Sequence, residues 1–184
     1  MGNDADRYRR FLDGDDDELV LIIETYYQGL SLYLNSIVRN ICEAEEIMQE
    51  TFVKLAVKKP KYNGKSSFKT WLYAIARNCA LIYMRQRSHY ADRPVDSDFH
   101  ISDETDIERQ YLIEEQKIEL HNVLKKLKPE YAQVLYLKDF EDFDTDSIVR
   151  VTKKTKRQVS DLIYRAKKAL KDELERTGFV YEEL

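Results

Sequence analysis

The sequence predicts an all-α protein: two small helical domains joined by a flexible acidic linker, the second domain a helix-turn-helix. Three observations lead there. Only 5 Gly and 3 Pro occur in 184 residues, too few for a fold built from many tight turns. Apolar residues recur at helical spacing through nearly every long segment. The stretch 89–105, "HYADRPVDSDFHISDET", breaks that periodicity and is rich in acid, as a tether between domains would be. The predicted division is therefore 1–88, linker 89–105, and 106–184.

The elements follow in chain order. A first helix is predicted from about Asp15 to Asn40, with Leu19, Ile22, Ile23, Tyr26, Tyr27, Leu30, Tyr33, Leu34, Ile37 and Val38 at helical spacing. Asp15, Asp16 and Asp17 suit its cap and the positive end of its dipole. A second helix, about Ala44 to Lys59, gathers Ile47, Met48, Thr51, Phe52 and Leu55 on one side and stops at Pro60. "KYNGKSS" is a loop, with Ser66 or Ser67 capping a third helix from Phe68 to about Ser88. Its inward stripe is Phe68, Leu72, Ile75, Cys79 and Ile82. Beyond the linker, a fourth helix spans about Asp106 to Leu127, and Pro129 fits the first turn of the next. The rest reads as a short helix capped near Asp144, a tight turn, and a long helix opening at Thr155.

Composition narrows the function. A chain of 43% hydrophobic and 35% charged residues is globular and charge-rich rather than disordered. No apolar run approaches the ~20 residues of a membrane span, and "MGNDADRYRRFLDGDDDE" lacks the apolar core of a signal peptide. Cys42 and Cys79 each fall in a helical pattern and are read as reduced and buried, which suits the cytoplasm. His89, His100 and His121 are scattered without metal-ligand spacing or a nucleophile partner. No glycine-rich phosphate loop occurs, so an enzyme is disfavoured and neither metal nor small-molecule cofactor is implied.

Net charge is only -4, yet the charges are sorted. From Lys54 to Arg87 there are nine bases and no acid; from Arg150 to Lys171, nine bases and the single acid Asp161; between them, residues 92–108 hold seven acids and one base. The short helix, turn and basic helix near the C-terminus form a helix-turn-helix candidate, whose second helix would lie in the major groove. Lys156, Arg157, Ser160, Asp161, Tyr164, Arg165 and Lys168 then face DNA, while Val159, Leu162, Ile163 and Ala166 pack inward. The turn "VTKKTKR" has no glycine, so Lys153 or Lys154 must make it. A solvated basic helix is the plainer alternative at this point.

The stretch "FKTWLYAIARNCALIYMRQR" interleaves rings with bases, as a single-stranded nucleic-acid surface does: rings for stacking, cations for phosphates. Trp71, Tyr73, Asn78 and the loop Tyr62-Asn63-Gly64 are the candidates. Phe68 is read as a core aromatic, and Trp71 as either a core ring or a stacking platform.

"EAEEIMQETFVKLA", "SSFKTWLYAIARN", "LKKLKPEYAQVLYLKDFEDFDTDSI" and "RQVSDLIYRAKKAL" together resemble the extracytoplasmic-function (ECF) sigma factors of bacterial RNA polymerase, from about residue 15 to 175. The resemblance implies a first domain that docks on the clamp helices of the polymerase's largest subunit through Glu46, Gln49, Glu50, Phe52 and Leu55. It implies that Tyr62, Asn63, Gly64, Lys65, Trp71, Asn78 and Arg85 open and hold the minus-ten element. It implies that the second domain reads the minus-thirty-five duplex through Ser160, Asp161, Tyr164 and Arg165, that the linker follows the RNA path, and that an anti-sigma factor restrains the protein. Two departures bear on promoter choice: Asp161 stands where the family often has a small or basic residue, and Lys153 where it has glycine. The competing reading is a helix-turn-helix regulator that binds its operator without polymerase.

Overall fold

A computed structural model describes residues 3–91 and 122–177. The predicted linker from residue 92, most of the predicted fourth helix and the C-terminal tail lie outside the described residues. Helices α1 (Asn3–Leu12), α2 (Asp17–Val38), α3 (Ile41–Lys58) and α4 (Phe68–Ala91) form the first domain. After the helical residues 122–126 come α5 (Pro129–Leu135), a π-helical turn (Tyr136–Phe140), α6 (Thr145–Thr152) and α7 (Lys156–Thr177). No strand occurs among the described residues, which agrees with the all-α expectation.

Local chemistry sets the helix ends. Arg39 leaves α2 with a left-handed φ of 60° and Asn40 starts α3 at once, its side chain accepting from the Glu43 amide at 3.0 Å. Lys59 repeats the left-handed exit (φ 43°) directly before Pro60, which cannot continue a helix. Ser67 Oγ accepts from the Thr70 amide at 3.1 Å and opens α4. Pro129 sits in the first turn of α5, where its missing N–H costs nothing. Asp144 accepts from the Ser147 amide at 2.7 Å at the start of α6. Asp16 occupies the cap position of α2 with helical φ and ψ and makes no side-chain cap bond; the acids there act only through the dipole.

The core of the first domain is Ile22, Leu30, Leu34, Ile47, Met48, Leu55 and Leu72, all at 1% exposure or less. Each such side chain contributes about 1.5–3 kcal/mol by leaving water. Three expectations need correction here. Tyr73, offered as a base-stacking candidate, is 0% exposed and belongs to the core. Ile82 is 44% exposed, because it lies one step round the helix from the inward line that Tyr73, Ala76 and Ala80 occupy instead. Cys42 is exposed rather than buried; only Cys79 is in the core, and both are free thiols.

The sequence reading had no helix before residue 15. α1 is held there by Tyr8 and Phe11, at 1% and 2% exposure. The Tyr8 hydroxyl donates to the Pro60 carbonyl at 2.8 Å, and the Tyr26 hydroxyl to Asp4 at 2.7 Å. Burial pushes the Tyr8 phenol up to about 12, so it remains a donor across the physiological range.

Candidate nucleic-acid interface

The helix-turn-helix forms as the sequence predicts. Just beyond Thr152, α6 is closed by Lys153, whose φ of 57° is the left-handed exit that glycine would make without strain. Thr155 then opens α7 with a reciprocal cap: its Oγ1 accepts from the Gln158 amide at 3.2 Å, and Gln158 Oε1 from the Thr155 amide at 2.9 Å. Val159 and Ala166 are fully buried and Leu162 and Ile163 half-buried, which fixes the rotation of α7. The opposite stripe, Lys156, Arg157, Ser160, Asp161, Tyr164, Arg165 and Lys168, is exposed throughout, and Tyr164 is 74% exposed. Lys156 pairs with Asp146 at 2.9 Å across the turn. Among the described residues, no ion pair engages Arg157, Arg165 or Lys168. With no acid in its first turn, α7 presents an exposed face of cationic and hydrogen-bonding side chains.

In the first domain, Trp71, Asn78 and Arg85 are spaced by two helical turns and so share one face of α4. Trp71 is half-buried, its ring 5.2 Å from Tyr8, 5.3 Å from Tyr62 and 5.4 Å from Phe68. It packs on core rings while part of it remains exposed to solvent. Tyr62 is half-buried in the same cluster and ties the loop back through its hydroxyl, which donates to the Ser66 carbonyl. The next residues stand out from it. Asn63 Oδ1 accepts from the Lys65 amide at 3.1 Å, Gly64 takes a φ of 69°, and all three are exposed. Asn78 is half-buried and Arg85 exposed. The result is a small aromatic platform with a protruding polar loop at one end and a guanidinium at the other.

The docking set divides. Glu46, Gln49 and Glu50 are exposed on α3, but Phe52 is 6% exposed and Leu55 0%. Those two face the core with Ile47, Met48 and Thr51 and cannot meet a partner, so the placement of Phe52 and Leu55 on the docking face is corrected. The sequence analysis did not single out the exposed apolar residues of the same face. Val53 and Val57, 59% and 72% exposed, lie on the solvent face of α3 with the three polar residues. The signal was available, since 46, 49, 50, 53 and 57 follow helical spacing. Among the described residues, no group of three or more His, Cys, Asp or Glu is arranged to hold a metal ion.

Fold and surface define a two-domain helical DNA-binding protein, with a helix-turn-helix at one end and an aromatic, basic helix at the other. Comparison with known proteins narrows that class. Residues 22–90 match the family model for sigma-70 region 2, and residues 117–170 that for sigma-70 region 4. The chain belongs to the sigma-70 family, and among its relatives are ECF sigma factors. RNA polymerase sigma factor YlaC of Bacillus subtilis is 29% identical over 84% of this chain and 91% of its own length. ECF RNA polymerase sigma factor SigW of the same organism is 25% identical over 91% and 95%. Among solved structures, the sigma factor RpoE in complex with the anti-sigma factor NepR from Bartonella quintana superposes with a TM-score of 0.64 at 18% identity, covering 87% of this chain and 96% of its own. CnrH in complex with the cytosolic domain of CnrY gives 0.66 at 17%, covering 94% and 97%. These two likenesses concern the fold.

Proposed function

We propose that this chain works as an alternative sigma factor in three contacts. The exposed face of α3, Glu46, Gln49, Glu50, Val53 and Val57, docks on the clamp helices of core RNA polymerase. The Tyr62–Lys65 loop with Trp71, Asn78 and Arg85 takes the opened minus-ten strand. The stripe from Lys156 to Lys168 on α7 reads the minus-thirty-five duplex. The observation that carries the reading is the pairing, on one small domain, of an acidic-apolar helix face with a separate aromatic-basic one. The first suits protein, the second unpaired DNA.

Two or three stacked bases at roughly 1–3 kcal/mol each offset the few kcal/mol of flipping a base, but do not melt a long duplex. Polymerase must therefore supply the rest. The chain performs no chemistry of its own, acts in the cytoplasm, uses no small-molecule substrate, and is restrained by an anti-sigma factor that covers its polymerase-binding face. No helix among the described residues is long and apolar enough to cross a membrane.

The test is retention of purified core polymerase by the immobilised chain, with the Glu46→Lys/Gln49→Ala variant beside it. Retention by the wild type and loss by the variant is the expected result. A chain that ignores core but binds promoter duplex alone would be an operator-binding regulator, and the α3 assignment would fall.

A further inference from the structure

We propose that Gly29 of α2 with Lys69 and Tyr73 of α4 forms a receptor for an acid-X-aromatic element, and that Glu141 and Phe143 fill it in cis, latching the two domains together. Lys69 Nζ lies 2.7 Å from Glu141 Oε2 and donates to the Glu141 main-chain carbonyl at 2.9 Å, across 72 residues of sequence. Phe143 meets the Tyr73 ring edge-on at 5.2 Å, and the Lys69 ammonium stands 5.1 Å from the Phe143 centroid. Although Phe143 belongs to a loop, it is only 5% exposed. The Tyr73 hydroxyl is sealed from solvent, and burial, with the Glu141 carboxylate beside it, raises its pKa well above the ordinary phenol range.

Both sides of the contact are shaped for it. Glycine inside a helix is unfavourable, yet α2 keeps Gly29 where a Cβ would stand 2.3 Å from Glu141 Oε1 and 2.8 Å from the Tyr73 hydroxyl. On the other side, the α5 helix widens into the π turn before Glu141, Asp142 takes a φ of 54°, and the Phe143 amide folds back to the Leu137 carbonyl at 2.8 Å. π turns of this kind re-aim a chain at a functional point. A second tie lies nearby in sequence: the Arg39 guanidinium donates to the main-chain carbonyls of Lys125 and Leu127.

The latch leaves both DNA faces open. The Trp71–Asn78–Arg85 face of α4 and the exposed stripe of α7 are on other sides of their helices. It restrains reach instead. Elements named minus-thirty-five and minus-ten lie about 25 base pairs apart, or ~85 Å along B-DNA, whereas a compact chain of this length has a radius of gyration of only ~16 Å. The latched protein cannot read both elements at once. That consequence rests on the function proposed above; the latch itself does not.

Small-angle scattering and helicity of the full chain test it without polymerase, so failure of one reading is distinguishable from failure of the other. Glu141→Lys and Lys69→Glu should each raise the radius of gyration about 1.2-fold or more at unchanged far-ultraviolet dichroism, and the double exchange should restore the wild-type value. Gly29→Ala should also open the chain while making α2 a better helix, so it decides the matter if a charge exchange costs helicity. Single variants as compact as wild type, or a double exchange as open as the singles, would overturn the latch.

Discussion

The corrected α3 face makes the sharpest prediction. Val53 and Val57 are exposed and are expected to be covered by polymerase; Leu55, two residues away from each, is sealed in the core. Burying a whole valine is worth about 1.5 kcal/mol. Scaled by the 59% and 72% of surface still available, covering both yields about 2 kcal/mol, or roughly 30-fold in Kd. Val53→Ser/Val57→Ser should therefore weaken competition for core polymerase by about that factor and leave unfolding nearly unchanged, as exposed substitutions do. Leu55→Ala should do the opposite. Its cavity costs about 3 kcal/mol, lowering Tm by roughly 6–12 °C in a chain of this size, while polymerase competition by the folded fraction persists. Thermal unfolding followed by dichroism and competition against a labelled sigma factor read the two effects separately. A serine pair that competes as well as wild type would refute the docking face, and a Leu55→Ala variant of wild-type Tm would refute the orientation of α3.

Four further outcomes follow from the same geometry. Trp71→Ala should cost about 2 kcal/mol, near half the value of a fully buried tryptophan, and also slow promoter opening in permanganate footprinting; an unchanged Tm would deny its packing on Tyr8 and Phe68. Arg165→Ala should weaken upstream duplex binding by about 1–3 kcal/mol and lower its salt slope, and an unaltered footprint would contradict the exposed stripe. Asp144→Ala should cost about 1 kcal/mol through its cap. The Ser147 hydrogen bonds hold the Asp144 carboxyl below its usual range, so the cap's contribution is complete above the unfolded pKa of ~3.9 and vanishes as pH falls through the lower folded value; wild-type and variant stabilities should converge in strong acid. Lys153→Gly should gain about 0.5–1 kcal/mol by relieving the left-handed backbone, seen as a rise in Tm of roughly 2 °C, and a fall would show that the lysine side chain holds the turn.

What the sequence disclosed was what is local. Pro60, Ser67, Pro129, Asp144 and Thr155 mark helix ends through bonds made within three or four residues, and the left-handed turn at Lys153 follows from a turn with no glycine in it. What it withheld depends on distant neighbours. α1 has only Tyr8 and Phe11 to show for periodicity, and its burial is set by Phe68 and Pro60, far along the chain. Phe52 and Leu55 read equally well as core or as contact until α2 and α4 are seen to cover them. Gly29 looks like a tolerated defect in a helix, because Glu141 lies more than a hundred residues on. Ile82 failed for a smaller reason: a helical stripe drifts over several turns, so its last member is the least secure.

The sorting of charge along this chain also bears on where the protein spends its time. A uniformly basic factor would be held by the bulk genome, which offers on the order of 10⁶–10⁹ competing sites. Here the cationic run from Lys54 to Arg87 is embedded in a chain with net charge -4, so attraction to DNA is expected chiefly at the basic faces. A chain balanced in this way is expected to be held less by bulk DNA than a uniformly basic one would be.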